Sequence, residues 1–478
     1  MQRSGGVLMP ISALPGDFSC GDFGRGAYAF ADFLSDSGFS YWQVLPFCMP
    51  DPYFSPYLSC ASFGGNPFFI DLNALFEKGL LSRADLTDAR QQTPYTCEYN
   101  RLSRQRFSLL QKAAAACKDT DAVDAFLAQN PALADCCTFL ALKAKNGFLP
   151  WQQWTWQQPD PAILRTWRFI QYEFYRQWDA LHRYLREKNI SVIGDLPFYV
   201  AGDSSDVFFA PDQFLLDADG KSAFIAGVPP DYFAKDGQLW GNPVYNFKKM
   251  AEDGFSFWKK RVEHAFSLFD AVRLDHFRAI SDYYCIPAGA KTAREGHWEP
   301  GPGMQLLSVI RKAANGRPIF AENLGIIDRR VDRLLAQSGC PGMAVFQFGF
   351  DGNADNPHLP HNYHNNLIAY TGTHDNNTLL GFMWELPEAV RRQVLSYIGF
   401  SGDNWDRCYD TILRIMLLSS AGLVIFPIQD LLGFGADTRF NTPGRAEGNW
   451  AFRITDEQLR SLNRGALLAR NRLYGRCR

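Results

Sequence analysis

The stretch Ala271-Val272-Arg273-Leu274-Asp275-His276-Phe277-Arg278 starts as a buried strand and ends in charge. Ala271 to Leu274 form a short apolar run broken by one arginine, the pattern of a strand covered on both faces. Asp275 follows directly. The same form recurs outward along the chain. Upstream lie Gly6-Val7-Leu8-Met9-Pro10-Ile11, Tyr41-Trp42-Gln43-Val44-Leu45-Pro46 and Ser191-Val192-Ile193-Gly194-Asp195. Downstream lie Ile319-Phe320-Ala321-Glu322, Met343 to Phe348, Ile368 to Thr373 and Leu423 to Pro427. This makes eight strands, near 7, 41, 191, 271, 319, 343, 368 and 422, with helical patterns between most of them. Eight β-then-α units predict an α/β fold closed as a (β/α)8 TIM barrel rather than an open doubly wound sheet.

Two helices are well marked. One runs from Gly26 to Ser37, with Tyr28, Phe30, Phe33 and Leu34 apolar and Gly38 as its stop. The other spans about 161 to 188, where Ile163, Trp167, Ile170, Phe174, Trp178, Leu181 and Leu185 recur at intervals of three and four. Two stretches break the alternation. Residues 71–160 are Ala-rich and mostly helical in pattern, and carry Trp151, Trp154 and Trp156; they are expected as a helical subdomain inserted after strand two. Residues 200–252, after strand three, are rich in Gly, Pro, Asp and aromatics and are expected as an active-site loop insertion. Residues 1–478 are otherwise read as one catalytic barrel domain.

The chain has 478 residues, 46% of them hydrophobic and 21% charged, enough for a large core. Its 48 Lys and Arg nearly balance 50 Asp and Glu, which argues against nucleic-acid or membrane-surface partners. The 15% aromatic content suits either a big core or a cleft with flat apolar walls of the kind sugar rings favour. Eleven cysteines at irregular spacing make neither a disulfide framework nor a zinc module, so reduced thiols and a cytoplasmic location are expected. No run reaches about 18 apolar residues and the N-terminus has no apolar signal core. Neither GxGxxG nor GxxxxGK[ST] occurs, so a bound nucleotide is not indicated.

Barrel active sites sit at the C-terminal ends of the strands. Asp195, Asp275, Glu322, Asp375 and Asp430 all fall there, so carboxylates converge on one rim. A retaining glycosidase needs two carboxyl groups about 5–5.5 Å apart, one nucleophile and one acid/base. The ends of adjacent strands four and five meet that need with Asp275 and Glu322. Arg273 lies two residues before Asp275, hence on the same face of the strand, and a cation there favours the ionised aspartate. Glu322, desolvated beside an ionised Asp275, is expected to hold a proton near neutrality. Asp275 is therefore assigned to attack and Glu322 to protonate the leaving oxygen. Asp375, with His374, is expected to grip sugar hydroxyls and distort the ring.

Asp275 in RLDHFR, Glu322 in AENLG and Asp375 in YTGTHDNNT resemble the three catalytic acids of the 4-α-glucanotransferases, also called amylomaltases or disproportionating enzymes (glycoside hydrolase family 77). The likeness extends in order along the chain through Phe54-Ser55-Pro56-Tyr57, Gly65-Asn66-Pro67, Gly194 to Val200, Gly227 to Phe233, Gly237 to Pro243 and Arg439 to Gly444. The resemblance implies Asp275 as nucleophile, Glu322 as acid/base and Asp375 as transition-state stabiliser. It implies that Arg273, His276 and His374 contact the sugar at the cleavage site, and that Tyr57, Asp195, Trp240 and Asn441 bind sugar. It further implies α-1,4-glucan substrates such as maltooligosaccharides and dextrins of starch or glycogen, with no metal or organic cofactor. The chain departs from the family pattern at Ala279, where Gly is usual, and at Asn323 and Asn377, where acids are usual. Residue chemistry leaves α-glucan hydrolysis open beside transfer; the resemblance favours transfer. His358, His361 and His364, spaced by three in a Pro/Asn-rich loop, are read as packing or surface residues rather than metal ligands. Nothing in the sequence assigns an oligomeric state.

Overall fold

The computed structural model describes residues 2–230, 235–445 and 447–477. Twelve strands occur among the described residues: β1 Ser4–Leu8, β2 Tyr41–Gln43, β3 Ser191–Leu196, β4 Phe224–Val228, β5 Gln238–Pro243, β6 Ala271–Leu274, β7 Asp282–Pro287, β8 His297–Pro300, β9 Ile319–Ala321, β10 Gly342–Val345, β11 Leu367–Tyr370 and β12 Leu423–Pro427. Eight of them form one parallel sheet in the order β10-β11-β12-β1-β2-β3-β6-β9. The Ala321 N–H donates to the Pro341 carbonyl at 2.9 Å, across the seam between β9 and β10, and the sheet closes into the barrel. These are the eight strands read from the sequence.

The helices follow from local chemistry. Pro161–Glu187 begins with Pro at its first position and is capped by Asp160, whose Oδ1 accepts the Ala162 and Ile163 N–H groups. Its stripe buries Trp167, Ile170, Phe174, Trp178, Leu181 and Leu185. Trp178 is fully buried, and truncating such a residue to alanine costs about 3–5 kcal/mol. Residues 71–160 contain the helices Leu72–Glu77, Arg83–Ala89, Tyr99–Ala116, Thr120–Gln129 and Pro131–Lys145. Their buried faces join the barrel in one continuous apolar core. No single helix among the described residues is long and apolar enough to cross a membrane. The bent pair Thr120–Gln129 and Pro131–Lys145, at 112°, passes that test on length and composition only.

One feature differs from the sequence reading. Residues 200–252 were expected as a loop, yet they carry β4 and β5, which pair antiparallel with β7 and β8 in a second sheet ordered β5-β4-β7-β8. These strands are short and contain Gly and Pro, and β4 finds β7 about sixty residues away, so no local periodicity announces them. Gly227 permits the pairing, because a Cβ there would lie 2.1 Å from the Gln238 carbonyl oxygen. Asp231, Tyr232 and Phe233 of the expected loop lie outside the described residues. The β10–β11 connection, whose His358–His364 stretch was read as a Pro/Asn-rich loop, has only the short 3-10 turns Phe346–Phe348 and Pro360–Asn362.

Candidate active site

The barrel ladder continues past the strand ends and sets the two principal acids side by side. Leu274 of β6 is in register with Ala321 of β9, so Asp275 and Glu322 are the next residues on neighbouring strands. Asp275 N–H donates to the Leu196 carbonyl at 3.1 Å and Glu322 N–H to the Leu274 carbonyl at 3.0 Å. Each acid is thus anchored through its own backbone to the strand beside it.

Arg273, with only 4% of its side chain exposed, sits between two carboxylates. Its Nη1 lies 2.7 Å from Asp195 Oδ2 and 2.9 Å from Asp275 Oδ1. Burial opposes the Arg273 cation, but Asp195 and Asp275 outweigh it and hold the guanidinium well above its ordinary range. Glu322 behaves in the opposite way. Burial is the largest influence and pushes its carboxyl up to about 7, with nearby Asp275 adding to the rise and Arg273 opposing it. Two backbone donors aim at the same carboxylate: His276 N–H to Oε2 at 2.8 Å and Leu324 N–H to Oε1 at 2.9 Å. The first is made possible by His276 adopting φ +48°, a left-handed conformation uncommon outside glycine. Burial pushes the His276 imidazole down to about 4, so the ring is neutral near pH 7. It meets Trp240 edge to face at 4.8 Å, which brings the β5 side chain of the second sheet over the barrel rim.

The third acid comes from beyond β11. Asp375 Oδ1 accepts from Asn441 Nδ2 at 2.6 Å, and its Oδ2 lies 3.3 Å from His374 Nε2. Burial works against the charged form of Asp375, but His374 and Asn441 outweigh it and hold the carboxyl well below the usual range. Tyr57 gives its hydroxyl proton to Asp195 Oδ2 at 2.7 Å. His374 Nε2, 2.9 Å from the same Tyr57 oxygen, must therefore be the donor in that contact. Asp375 is 43% exposed and Asp275 26% exposed, so both side chains reach solvent.

All ten residues selected from the sequence fall in this one connected cluster. Several neighbours were not selected. Trp450 is buried at φ +64°, with its ring 5.9 Å from Tyr57 and 6.0 Å from His374. Arg439 Nη2 donates to the Asp375 carbonyl at 3.1 Å. Arg439 opens the Arg439–Gly444 motif, a signal present in the sequence; Trp450 carries no such signal, because its partners lie far away in sequence. Among the residues that depart from the family pattern, Asn323 Oδ1 accepts Met343 N–H at 2.7 Å and helps close the barrel seam. His358 accepts Val345 N–H at 3.1 Å, and His361 pairs with Tyr397 Oη at 2.9 Å, so both brace the β10–β11 connection. Among the described residues no group of three or more His, Cys, Asp or Glu is placed to hold a metal ion.

A closed barrel whose rim pairs a salt-bridged aspartate with a proton-holding glutamate defines a glycoside-hydrolase-type enzyme. A family model described as "4-alpha-glucanotransferase" matches residues 9–459. The chain belongs to that family, glycoside hydrolase family 77. It is 38% identical to a 4-alpha-glucanotransferase of Synechocystis sp., over 99% of this chain and 98% of the relative. It is 37% identical to that of Thermus thermophilus, over 96% of each. In structure it is similar to the amylomaltase from Streptococcus agalactiae solved in complex with acarbose, with a TM-score of 0.95, 36% identity and full coverage of both chains.

Proposed function

We propose that the protein transfers α-1,4-glucan segments to the 4-hydroxyl of an acceptor glucan or glucose, with net retention of anomeric configuration. The observation that carries this reading is the unlike setting of two carboxyl groups on neighbouring strand ends, one held by a cation and one buried. Asp275 is ion-paired to Arg273, and Glu322 holds its proton up to about 7. Arg273 engages Asp275 Oδ1, so Oδ2 is assigned to attack the anomeric carbon. As that bond forms, Glu322 gives its proton to the glycosidic oxygen and the leaving glucan departs with a free 4-hydroxyl. A glucosyl ester on Asp275 remains. The Glu322 carboxylate then takes the proton of an acceptor 4-hydroxyl, whose oxygen attacks the same carbon and releases Asp275. Ionised Asp375 faces the positive charge that develops on the ring in both steps. Tyr57, Asp195, Trp240, Arg273, His276, His374 and Asn441 are assigned as sugar contacts. Protons and electron pairs balance on these side chains without a metal or organic cofactor.

Family membership favours transfer over hydrolysis. The physical need is an acceptor site that keeps water from the ester, and the second sheet, with Trp240 against His276, is placed to form one wall. All eleven cysteines are free, in keeping with a reducing cytoplasm. The test is incubation with maltotriose followed by sizing of products. Longer and shorter glucans should appear with little net gain in reducing ends; a rise in reducing ends alone would sink the transfer reading. Asp275→Asn should lose turnover yet still bind acarbose, and full activity in that variant would end the nucleophile assignment.

A further inference from the structure

We infer that Asp430, an acid outside the chemistry above, is a positioning residue that sets Asp375 through paired hydrogen bonds to the two ends of its loop. This rests on the reading of Asp375 as transition-state stabiliser. Asp430 lies just after β12, in the short helix Ile428–Leu432, and is only 1% exposed. Oδ1 accepts the Leu379 N–H at 2.7 Å, and Oδ2 accepts the Thr371 hydroxyl. Thr371 and Leu379 bracket the loop that carries His374 and Asp375. Both carboxylate oxygens are therefore committed to holding that loop, and neither is directed at substrate.

The neighbouring contacts act in the same sense. Gln429 Nε2 donates to the Thr438 carbonyl at 2.9 Å, which fixes the segment leading to Asn441. Asn441 in turn reaches Asp375 Oδ1 with Nδ2 and the His374 carbonyl with its N–H, at 2.6 and 3.1 Å. Gln347 Nε2 donates to the Asn377 carbonyl at 2.8 Å from the other side. Asp375 itself is 43% exposed and needs its backbone held from below, because a misplacement of about 1 Å in a catalytic group costs on the order of 100-fold in rate. A buried carboxylate with two strong acceptors is well suited to grip two donors eight residues apart in sequence.

The test is a double-mutant cycle. Asp430→Ala and Asp430→Asn are each made in the wild-type chain and in Asp375→Asn, and rates are measured with an activated glucosyl donor such as α-glucosyl fluoride. In the wild-type background Asp430→Ala should lower kcat at least tenfold with KM changed less than twofold. Asp430→Asn, which keeps one oxygen for Leu379, should recover part of that loss. In the Asp375→Asn background Asp430→Ala should change the residual rate less than twofold. An equal loss in both backgrounds would mark a merely structural role and overturn the inference, as would an unchanged kcat in the wild-type background. If Asp430→Ala does not fold, Asp430→Asn decides on the same comparison of backgrounds. Near-wild-type turnover in Asp375→Asn alone would overturn the role of Asp375 and this inference with it, whereas normal turnover in Asp430→Ala overturns this inference only.

Discussion

At Glu322 opposing effects meet: burial and nearby Asp275 favour the acid, while Arg273 and two backbone N–H donors favour the carboxylate. Burial wins, and the proton stays until about pH 7. The first step needs that proton, so kcat/KM for glucan transfer should fall as pH rises through about 7. A pH–rate profile checks this, and a rate flat from pH 6 to 9 would contradict it. His276 poses a different problem. Its left-handed backbone delivers the N–H to Glu322, so the conformation matters as much as the imidazole. His276→Gly should be more stable than His276→Ala by about 1 kcal/mol, since only glycine adopts that conformation without penalty. Urea unfolding of the two variants measures the difference. The acids themselves were readable one by one, because Asp275 and Glu322 follow directly on apolar runs and Asp375 comes a few residues after one. Their protonation was readable only as an expectation, since it depends on how deeply each is covered.

Among the elements, β3 shows how close packing and chemistry are joined. Gly194 precedes Asp195, and a Cβ at 194 would lie 2.0 Å from the Phe269 ring. Phe269 is held in turn by Phe47 and Trp178, at 4.9 and 6.2 Å between ring centroids, so it has little room to yield. Gly194→Ala should therefore destabilise the protein by about 1–3 kcal/mol through overpacking. It should also raise KM, because Asp195 would shift against Arg273 and Tyr57. Calorimetry and steady-state kinetics on the one variant test both effects. The barrel strands were legible because a parallel strand buried on both faces is apolar throughout. The β5-β4-β7-β8 sheet was not, because its strands are short, contain Gly and Pro, and are joined at the centre by the β4–β7 pairing of segments about sixty residues apart.

On the scale of the whole molecule, the helices of residues 71–160 and the barrel share one apolar core. Leu110, Leu127 and Phe139 belong to the same cluster as Ile193, Leu274 and Ile425. We propose that the chain is one folding unit despite its length. Urea unfolding followed by tryptophan fluorescence and by circular dichroism should give coincident transitions; two separated transitions would argue for an independent helical subdomain. The sequence by itself determined the eight barrel strands, the long amphipathic helix and the acids at the strand ends, because each is written in neighbouring residues through periodicity or punctuation. Only the tertiary structure decided the second sheet, the contact of Asn441 with Asp375, the placing of Trp450 and the grip of Asp430 on its loop. Those depend on groups distant in the chain meeting in space, and burial there sets both their hydrogen bonds and their charge.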